Sequence, residues 1–290
     1  MTGKIIKGVG GFYYVHDRVS KVYECRARGV FRNLGIKPLV GDDVEIEILS
    51  GTEGNVTKIL PRKNALIRPA VANIDQAMVV FAAADPKPNR NLLDRFLVTM
   101  GYQGVPVVLC INKADLDQEE QARKLAEIYE KAGYEVLLIS ALHDEDLEQV
   151  RSRLHGKTTA LAGPSGVGKS TLTNRIQPEA SMETGAVSEK IRRGRHTTRH
   201  SELFFVAPDT FLMDTPGFSS IFVDDMEPGE LAALFPEFES FVPQCRFLGC
   251  AHVGERECGI KDAVSRGEID KERYENYRLI YEELKNKRRY

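Results

Sequence analysis

Residues 163–170 read Gly163-Pro164-Ser165-Gly166-Val167-Gly168-Lys169-Ser170, the pattern G-x-x-x-x-G-K-S. Glycines at this spacing let a loop curl until successive backbone N–H groups point at phosphate oxygens. Lys169 adds positive charge at the β and γ phosphates, and the Ser170 hydroxyl, with Thr171 beside it, opens a helix where Mg²⁺ can be ligated. Asp214-Thr215-Pro216-Gly217 follows the apolar run Phe211-Leu212-Met213 and reads D-x-x-G. Asp214 can reach the Mg²⁺ through water, and the Gly217 N–H can meet a γ-phosphate, because glycine permits close backbone approach. Alone, D-x-x-G is usually a turn. After a phosphate loop it has a partner.

Asn112-Lys113-Ala114-Asp115 closes the apolar run Val105–Ile111. The Asp115 carboxylate can accept from both N1–H and the 2-amino group of guanine. Adenine lacks that amino group and would leave a charged acceptor unpaired, at a cost of roughly 1.5–3 kcal/mol. Ser140-Ala141-Leu142 follows the next strand pattern, where the Ala141 N–H can meet the guanine O6. These residues point to a guanine nucleotide with Mg²⁺.

Between the two phosphate-side motifs lies Arg193-Gly194-Arg195-His196-Thr197-Thr198-Arg199-His200. A threonine here can be the second Mg²⁺ ligand and γ-phosphate sensor; Thr198 is preferred over Thr197. Where many GTPases place a glutamine that orients the attacking water, this chain has Phe218, which cannot hydrogen-bond. A slow intrinsic rate follows, or another group takes over. His196 is the candidate to position or deprotonate water, with RNA contact as the competing reading. Further along, Cys245, Cys250, His252 and Cys258 form C-x₄-C-x-H-x₅-C. Three thiolates and an imidazole complete a tetrahedron for one structural Zn²⁺, with no open catalytic position. Disulfide pairing is the alternative, but it would strand one thiol. Cys25 and Cys110 stand alone in strand-like runs and are expected to be reduced core residues.

The elements that must hold these residues are legible from period. Over residues 1–62, short runs at Lys4–Gly8, Gly11–Val15, Val22–Gly29, Val44–Leu49 and Asn55–Leu60 alternate with Gly, Asn and Asp breaks. That is the pattern of a small closed β-barrel. From residue 64 the period changes. Buried-strand runs (Ile74–Ala84, Val105–Ile111, Glu135–Ser140, Thr158–Ala162) alternate with helices at Asn91–Met100, Gln118–Lys131 and Glu145–Leu154. An α/β domain with a parallel sheet covered on both faces is expected over 64–220. Residues 221–290 carry the cysteine cluster, few β signals and a charged helix at Lys271–Arg289. They should form a mainly helical domain that a metal holds together.

The 290 residues are 42% hydrophobic and 28% charged, an ordinary globular balance that speaks against a disordered chain. No run approaches a membrane span and no secretory core is evident, so a cytoplasmic, non-membrane protein is expected. The net charge of -2 hides two basic runs. Residues 18–37 carry six Lys or Arg against Glu24 alone, and residues 190–200 carry five with no acid. Each could be a solvated face or a contact for a polyanion.

Motif order is the informative feature. An ordinary small GTPase runs phosphate loop, switch threonine, D-x-x-G, N-K-x-D, then Ser-Ala. Here NKAD (112–115) and Ser140-Ala141-Leu142 precede GPSGVGKS (163–170), the threonines and DTPG (214–217), so the G domain is circularly permuted. The NKAD–GPSGVGKS–GRHTT–DTPG order, with a barrel before it and a Cys-Cys-His-Cys cluster after it, resembles from end to end the RsgA (YjeQ/YloQ) family of ribosome-biogenesis GTPases. The resemblance implies an N-terminal OB-fold, a G domain and a C-terminal zinc domain. It implies GTP hydrolysis to GDP stimulated by the small (30S) ribosomal subunit and its 16S rRNA during late maturation. It also implies that His196, in GRHTT, takes the place of a switch histidine used in hydrolysis. Members often read GRHTTT, whereas here Arg199 follows Thr198. A monomer is expected. The competing class is an RNA-binding adaptor whose GTP state mainly sets affinity; a P-loop kinase is disfavoured by NKAD and DTPG together.

Overall fold

The computed structural model describes residues 1–27, 29, 31, 35–66, 70–117, 120–177, 202–214 and 226–287. In chain order the strands are β1 (Thr2–Val9), β2 (Phe12–His16), β3 (Val22–Ala27), β4 (Asp43–Ser50), β5 (Glu53–Ile59), β6 (Ala65–Leu66), β7 (Val71–Ala72), β8 (Gln76–Ala82), β9 (Val107–Asn112), β10 (Glu135–Leu138), β11 (Thr158–Ala162), β12 (Glu202–Ala207) and β13 (Thr210–Asp214). The α-helices are α1 (Arg90–Tyr102), α2 (Gln121–Lys131), α3 (Asp144–Leu154), α4 (Lys169–Ile176), α5 (Gly259–Ser265) and α6 (Lys271–Asn286). They group into two compact units, each built from two separated stretches: Met1–Met78 with Ala141–Ser219, and Val79–Ser140 with Ser220–Tyr290.

The first unit begins with the expected barrel. Val22–Ala27 sends Tyr23 and Cys25 inward and Val22, Glu24 and Arg26 outward, the period of two that one buried face requires. The strand order β1-β2-β3-β5-β4 closes because β1 also pairs antiparallel with β4, Gly3 opposite Val44. Ile5, Val15, Tyr23, Cys25, Phe31, Val44, Ile46 and Val56 fill it. Burial pushes the Cys25 thiol up to about 11, as suits an inert core residue. At the turn into β4, Gly41 has φ +92, and a Cβ there would lie 2.0 Å from the Ala72 carbonyl oxygen. Only glycine fits that approach.

The same unit holds β11 and β13, which run parallel, with β12 antiparallel to β13. This antiparallel hairpin is a departure from the all-parallel expectation. It also has a consequence: Glu202 of β12 pairs with Lys7 of β1, so the order β11-β13-β12-β1 carries one ladder from the phosphate-loop strand into the barrel. At this seam His16 stacks on Phe205 with centroids 4.2 Å apart, and Lys4 lies over Phe211. Arg18 pairs with Asp43 at 2.7 Å and with Asp209 at 2.5 Å.

In the second unit β10 and β9 are parallel, next to β8. Helix α1 starts at Asn89, whose side chain accepts from the Leu92 N–H, and buries Leu93, Phe96, Leu97 and Met100. The C-terminal region is helical, as expected: three 3₁₀ turns (Pro228–Leu234, Pro236–Phe238, Val242–Gln244) precede α5 and α6. Its core joins Leu231, Phe235, Phe238, Ile260 and Tyr277 to Val98 of α1. Beneath α6 lies a buried ionic cluster. Asp94 accepts from Arg273 at 2.5 Å, Tyr129 at 2.7 Å and Asn276 at 2.6 Å, while Glu237 accepts from Arg273 at 2.5 and 2.9 Å. Arg273 is 1% exposed and lies over the rings of Tyr129 and Phe235.

Candidate nucleotide and metal sites

The phosphate loop leaves β11, all five residues of which are buried, and enters α4. Gly163, Gly166 and Gly168 take φ of +137, +83 and +98, a curl that L-residues rarely adopt, and buried Val167 anchors its middle. Lys169 Nζ donates to the Gly163 and Pro164 carbonyls at 2.8 and 2.7 Å, which holds the ammonium over the loop. Ser165 lies in the same loop, and Ser170 and Thr171 fall in the first turn of α4. Asp214 ends β13, and its Cα partner across the parallel ladder is Leu161, two residues before the loop. The phosphate-side residues Lys169, Ser170 and Asp214 therefore start from neighbouring strand ends within one unit.

Asn112 ends β9 and is buried, Lys113 turns through φ +62, and Ala114 and Asp115 enter a 3₁₀ turn over Ala114–Leu116. Lys113 Nζ donates to the Asp85 carbonyl at 2.5 Å. The Ala114 N–H donates to the Ile139 carbonyl, and the Ile139 N–H to the Ile111 carbonyl, so the strand ends bearing Asn112 and Ser140 are tied together. Asp115 is exposed and Ser140 is buried.

Arg175 lies in the last turn of α4, where no motif marks it. Its Nη1 donates to the Ala141 carbonyl at 3.3 Å and the Leu142 carbonyl at 3.1 Å, and its Nη2 to Asp144 at 2.6 Å. In return Arg151 of α3 donates to the Arg175 carbonyl at 3.0 Å. These contacts join residues 24 to 34 positions apart, a separation that no local spacing rule covers.

The four metal-ligand candidates converge. One ligand atom from each of Cys245, Cys250, His252 and Cys258 lies within 4.8 Å of the others. His252 Nδ1 is 3.5 Å from Cys245 Sγ and 3.4 Å from Cys258 Sγ, and those two sulfurs are 3.9 Å apart. A tetrahedron with Zn–S near 2.3 Å and Zn–N near 2.0 Å has edges of about 3.5–3.8 Å, so the donor set fits a closed four-coordinate ion, with Nδ1 as the histidine ligand. All five cysteines are free thiols. Burial, with Cys258 beside it, pushes the Cys250 thiol up to about 12. Glu255 accepts from the Ala251 and Val253 N–H groups, and Tyr274 and Tyr277 donate to the His252 and Ala251 carbonyls, which fixes the ligand loop.

Gly217, Phe218 and the switch segment with His196, Thr197 and Thr198 lie outside the described residues, as does the basic run 190–200. In the other basic run, Arg18 is committed to ion pairs and Arg26 covers the Phe12 ring at 4.8 Å. Next to it, Tyr13, Ala27, Phe31, Ile36, Lys37 and Pro38 line a barrel cleft of about 640 Å³. No described helix is long and apolar enough to cross a membrane.

A family model described as RsgA GTPase matches residues 59–224, and one described as RsgA N-terminal domain matches residues 2–56. A protein of Agathobacter rectalis named "Small ribosomal subunit biogenesis GTPase RsgA" is 53% identical over 302 residues, spanning 100% of both chains. One of the same name from Alkaliphilus metalliredigens is 49% identical across 99% of each chain. Among solved structures, YloQ, described as a circularly permuted GTPase, superposes with a TM-score of 0.83 at 39% identity over 100% of this chain and 96% of that one. YjeQ from Thermotoga maritima gives 0.86 at 35% identity over 99% of each.

Proposed function

The chain belongs to the RsgA GTPase family and is a GTP hydrolase, and from that premise we propose that it acts in late maturation of the small (30S) ribosomal subunit, which stimulates its conversion of GTP to GDP and phosphate. The observation that carries this reading is the end-to-end similarity to relatives named for small-subunit biogenesis. On this reading residues 1–62 are the RNA-binding OB-fold, 64–220 the permuted G domain and 221–290 the zinc domain. The 16S rRNA is the contact, supported by the barrel cleft with its aromatic and basic lining. The protein works as a cytoplasmic monomer.

The residues divide the work as follows. Gly163–Gly168 and Lys169 bind the phosphates, with Thr171 close by. Ser170 and Thr198 ligate Mg²⁺, and Asp214 reaches it through water. Asn112, Lys113, Ala114 and Asp115 read guanine with Ser140 and Ala141, and Gly217 meets the γ-phosphate. His196 positions the attacking water in place of the absent glutamine. Cys245, Cys250, His252 and Cys258 hold one structural Zn²⁺, whose role is to fix the ligand loop rather than to take part in hydrolysis. The decisive experiment measures GTP turnover alone and with 30S, 50S and 70S particles. Acceleration of at least about tenfold by 30S alone is expected, against a ceiling near 10⁵ for a site completed in trans. Equal turnover with and without 30S would leave the adaptor reading in its place.

A further inference from the structure

We propose that Arg175 is a positioning residue for guanine recognition: from the last turn of the phosphate-loop helix it pins the Ala141–Leu142 backbone where that backbone meets the O6 of the base. The proposal rests on the reading that the Ala141 N–H contacts O6. Its own support is geometric. One guanidinium nitrogen reaches both the Ala141 and the Leu142 carbonyls, at 3.3 and 3.1 Å, while the second reaches Asp144 at the start of α3. With one nitrogen on two successive carbonyls and the other on the next helix start, the planar guanidinium fixes that chain segment at two points, whereas a lysine ammonium supplies one. The grip is reciprocated, since Arg151 of α3 holds the Arg175 carbonyl at 3.0 Å. Ala141 is 4% exposed and Leu142 63%, so the held carbonyls belong to a loop that turns outward immediately after the residue assigned to the base.

Helix α4 thus carries Lys169 and Ser170 at one end and the anchor of the 141–142 loop at the other, about 9 Å along a rigid rod. A displacement of the phosphate loop would carry the base-reading loop with it. A purely stabilising role is a poor explanation, because the Asp144 side chain is 90% exposed and ion pairs in such settings contribute little.

The test uses the full-length zinc-bound protein and compares equilibrium binding of GDP with that of 6-thio-GDP. The sulfur analogue keeps N1–H and the 2-amino group but is a poor acceptor at position 6. Wild type should favour GDP by roughly 5- to 10-fold, the ratio one neutral hydrogen bond gives. Arg175→Met keeps the apolar stem and removes the donors. It should weaken GDP binding by about that factor, leave 6-thio-GDP within about twofold, and bring the ratio close to one. Arg175→Lys should restore part of the ratio, and Asp144→Ala, which spares both carbonyl contacts, should keep it. Arg175→Ala repeats the test if the methionine variant does not fold. A general structural defect would weaken both nucleotides equally and keep the ratio, which overturns the positioning role while the O6 contact stands. A wild type indifferent to the 6-substituent would instead remove the O6 contact itself, and with it the task assigned to Arg175.

Discussion

Asp115 is exposed at the head of a 3₁₀ turn while Asn112, three residues earlier, is buried at the end of its strand. A buried asparagine can hold the loop's shape while an exposed carboxylate meets the base. If Asp115 accepts from the guanine N1–H and 2-amino group, Asp115→Asn should weaken GTP about 10- to 100-fold and favour xanthosine triphosphate, whose 2-oxo group suits an amide donor. Competition binding with both nucleotides checks this, and an unchanged preference would remove Asp115 from base reading. At the metal cluster, distances of 3.4–3.9 Å among His252 Nδ1, Cys245 Sγ and Cys258 Sγ fit three edges of a zinc tetrahedron, and Cys250 Sγ lies within 4.8 Å of the others. Elemental analysis should therefore find one zinc per chain. Cys250→Ser should lower that content and destabilise the C-terminal region; zinc-free wild type with unaltered melting would sink the assignment.

At the scale of elements, two seams decide how the parts are joined. Helix α6 meets α1 through Arg273, Asp94 and Asn276, and burial raises the Asp94 carboxyl while Arg273, Asn276 and Tyr129 work against that rise. Removing one partner of such a cluster strands the other charge without water, so Asp94→Ala should cost about 3–5 kcal/mol of stability, read from denaturant unfolding. A loss below ~1 kcal/mol would mean that water replaces the carboxylate. The second seam is β1–β12, where burial holds the His16 imidazole below its usual range although neighbouring Asp17 pulls the other way. His16 Nδ1 accepts from the Arg18 N–H, and Lys4 faces it across the strands. The folded chain thus resists a proton that the unfolded chain takes near pH 6.5. Stability should be full above that pH and decline below it, until the lowered folded value is passed. Melting temperatures taken from about pH 7.5 down to 5.5 should fall less steeply in His16→Phe than in wild type; equal slopes would clear His16 of this role.

Permutation gives the whole molecule its working logic. Because NKAD precedes the phosphate loop, the chain runs on from Asp214-Thr215-Pro216-Gly217 directly into the region that carries the Cys-Cys-His-Cys cluster, and upstream of it β12 shares a ladder with the barrel. On the proposed function, this chain order ties the segment that would sense the γ-phosphate to both regions in sequence, as suits a switch that an RNA partner completes. With Phe218 unable to orient water, His196→Ala should leave GTP and 30S binding intact and the basal rate little changed, yet lose about 100-fold or more of the stimulated rate. Added salt should reduce stimulation as phosphate contacts by Lys and Arg weaken. Single-turnover hydrolysis with saturating 30S compares the two proteins, and equal stimulated rates would pass the water-positioning role to a ribosomal group.

The glycine curl of the phosphate loop, the convergence of three cysteines and a histidine, and most strands are readable because each depends on chemistry packed into a few consecutive residues. GPSGVGKS must be glycine-rich to curl, NKAD must end a strand, and Val22–Ala27 must alternate to line a barrel. Their order alone revealed the permutation. Tertiary structure decided what distant residues do to each other. Arg273 sits in a helix whose charge pattern reads as solvated, yet Asp94, 179 positions away, draws it into the core. Arg175 reads as a surface residue of a short helix until the loop at 141–142 folds against it. Strand β12 had no distinctive period, and its pairing with Lys7 depends on a barrel edge formed some 195 residues earlier. Local pattern records which face a residue must bury; only the folded chain settles which partner makes burial of a charge affordable.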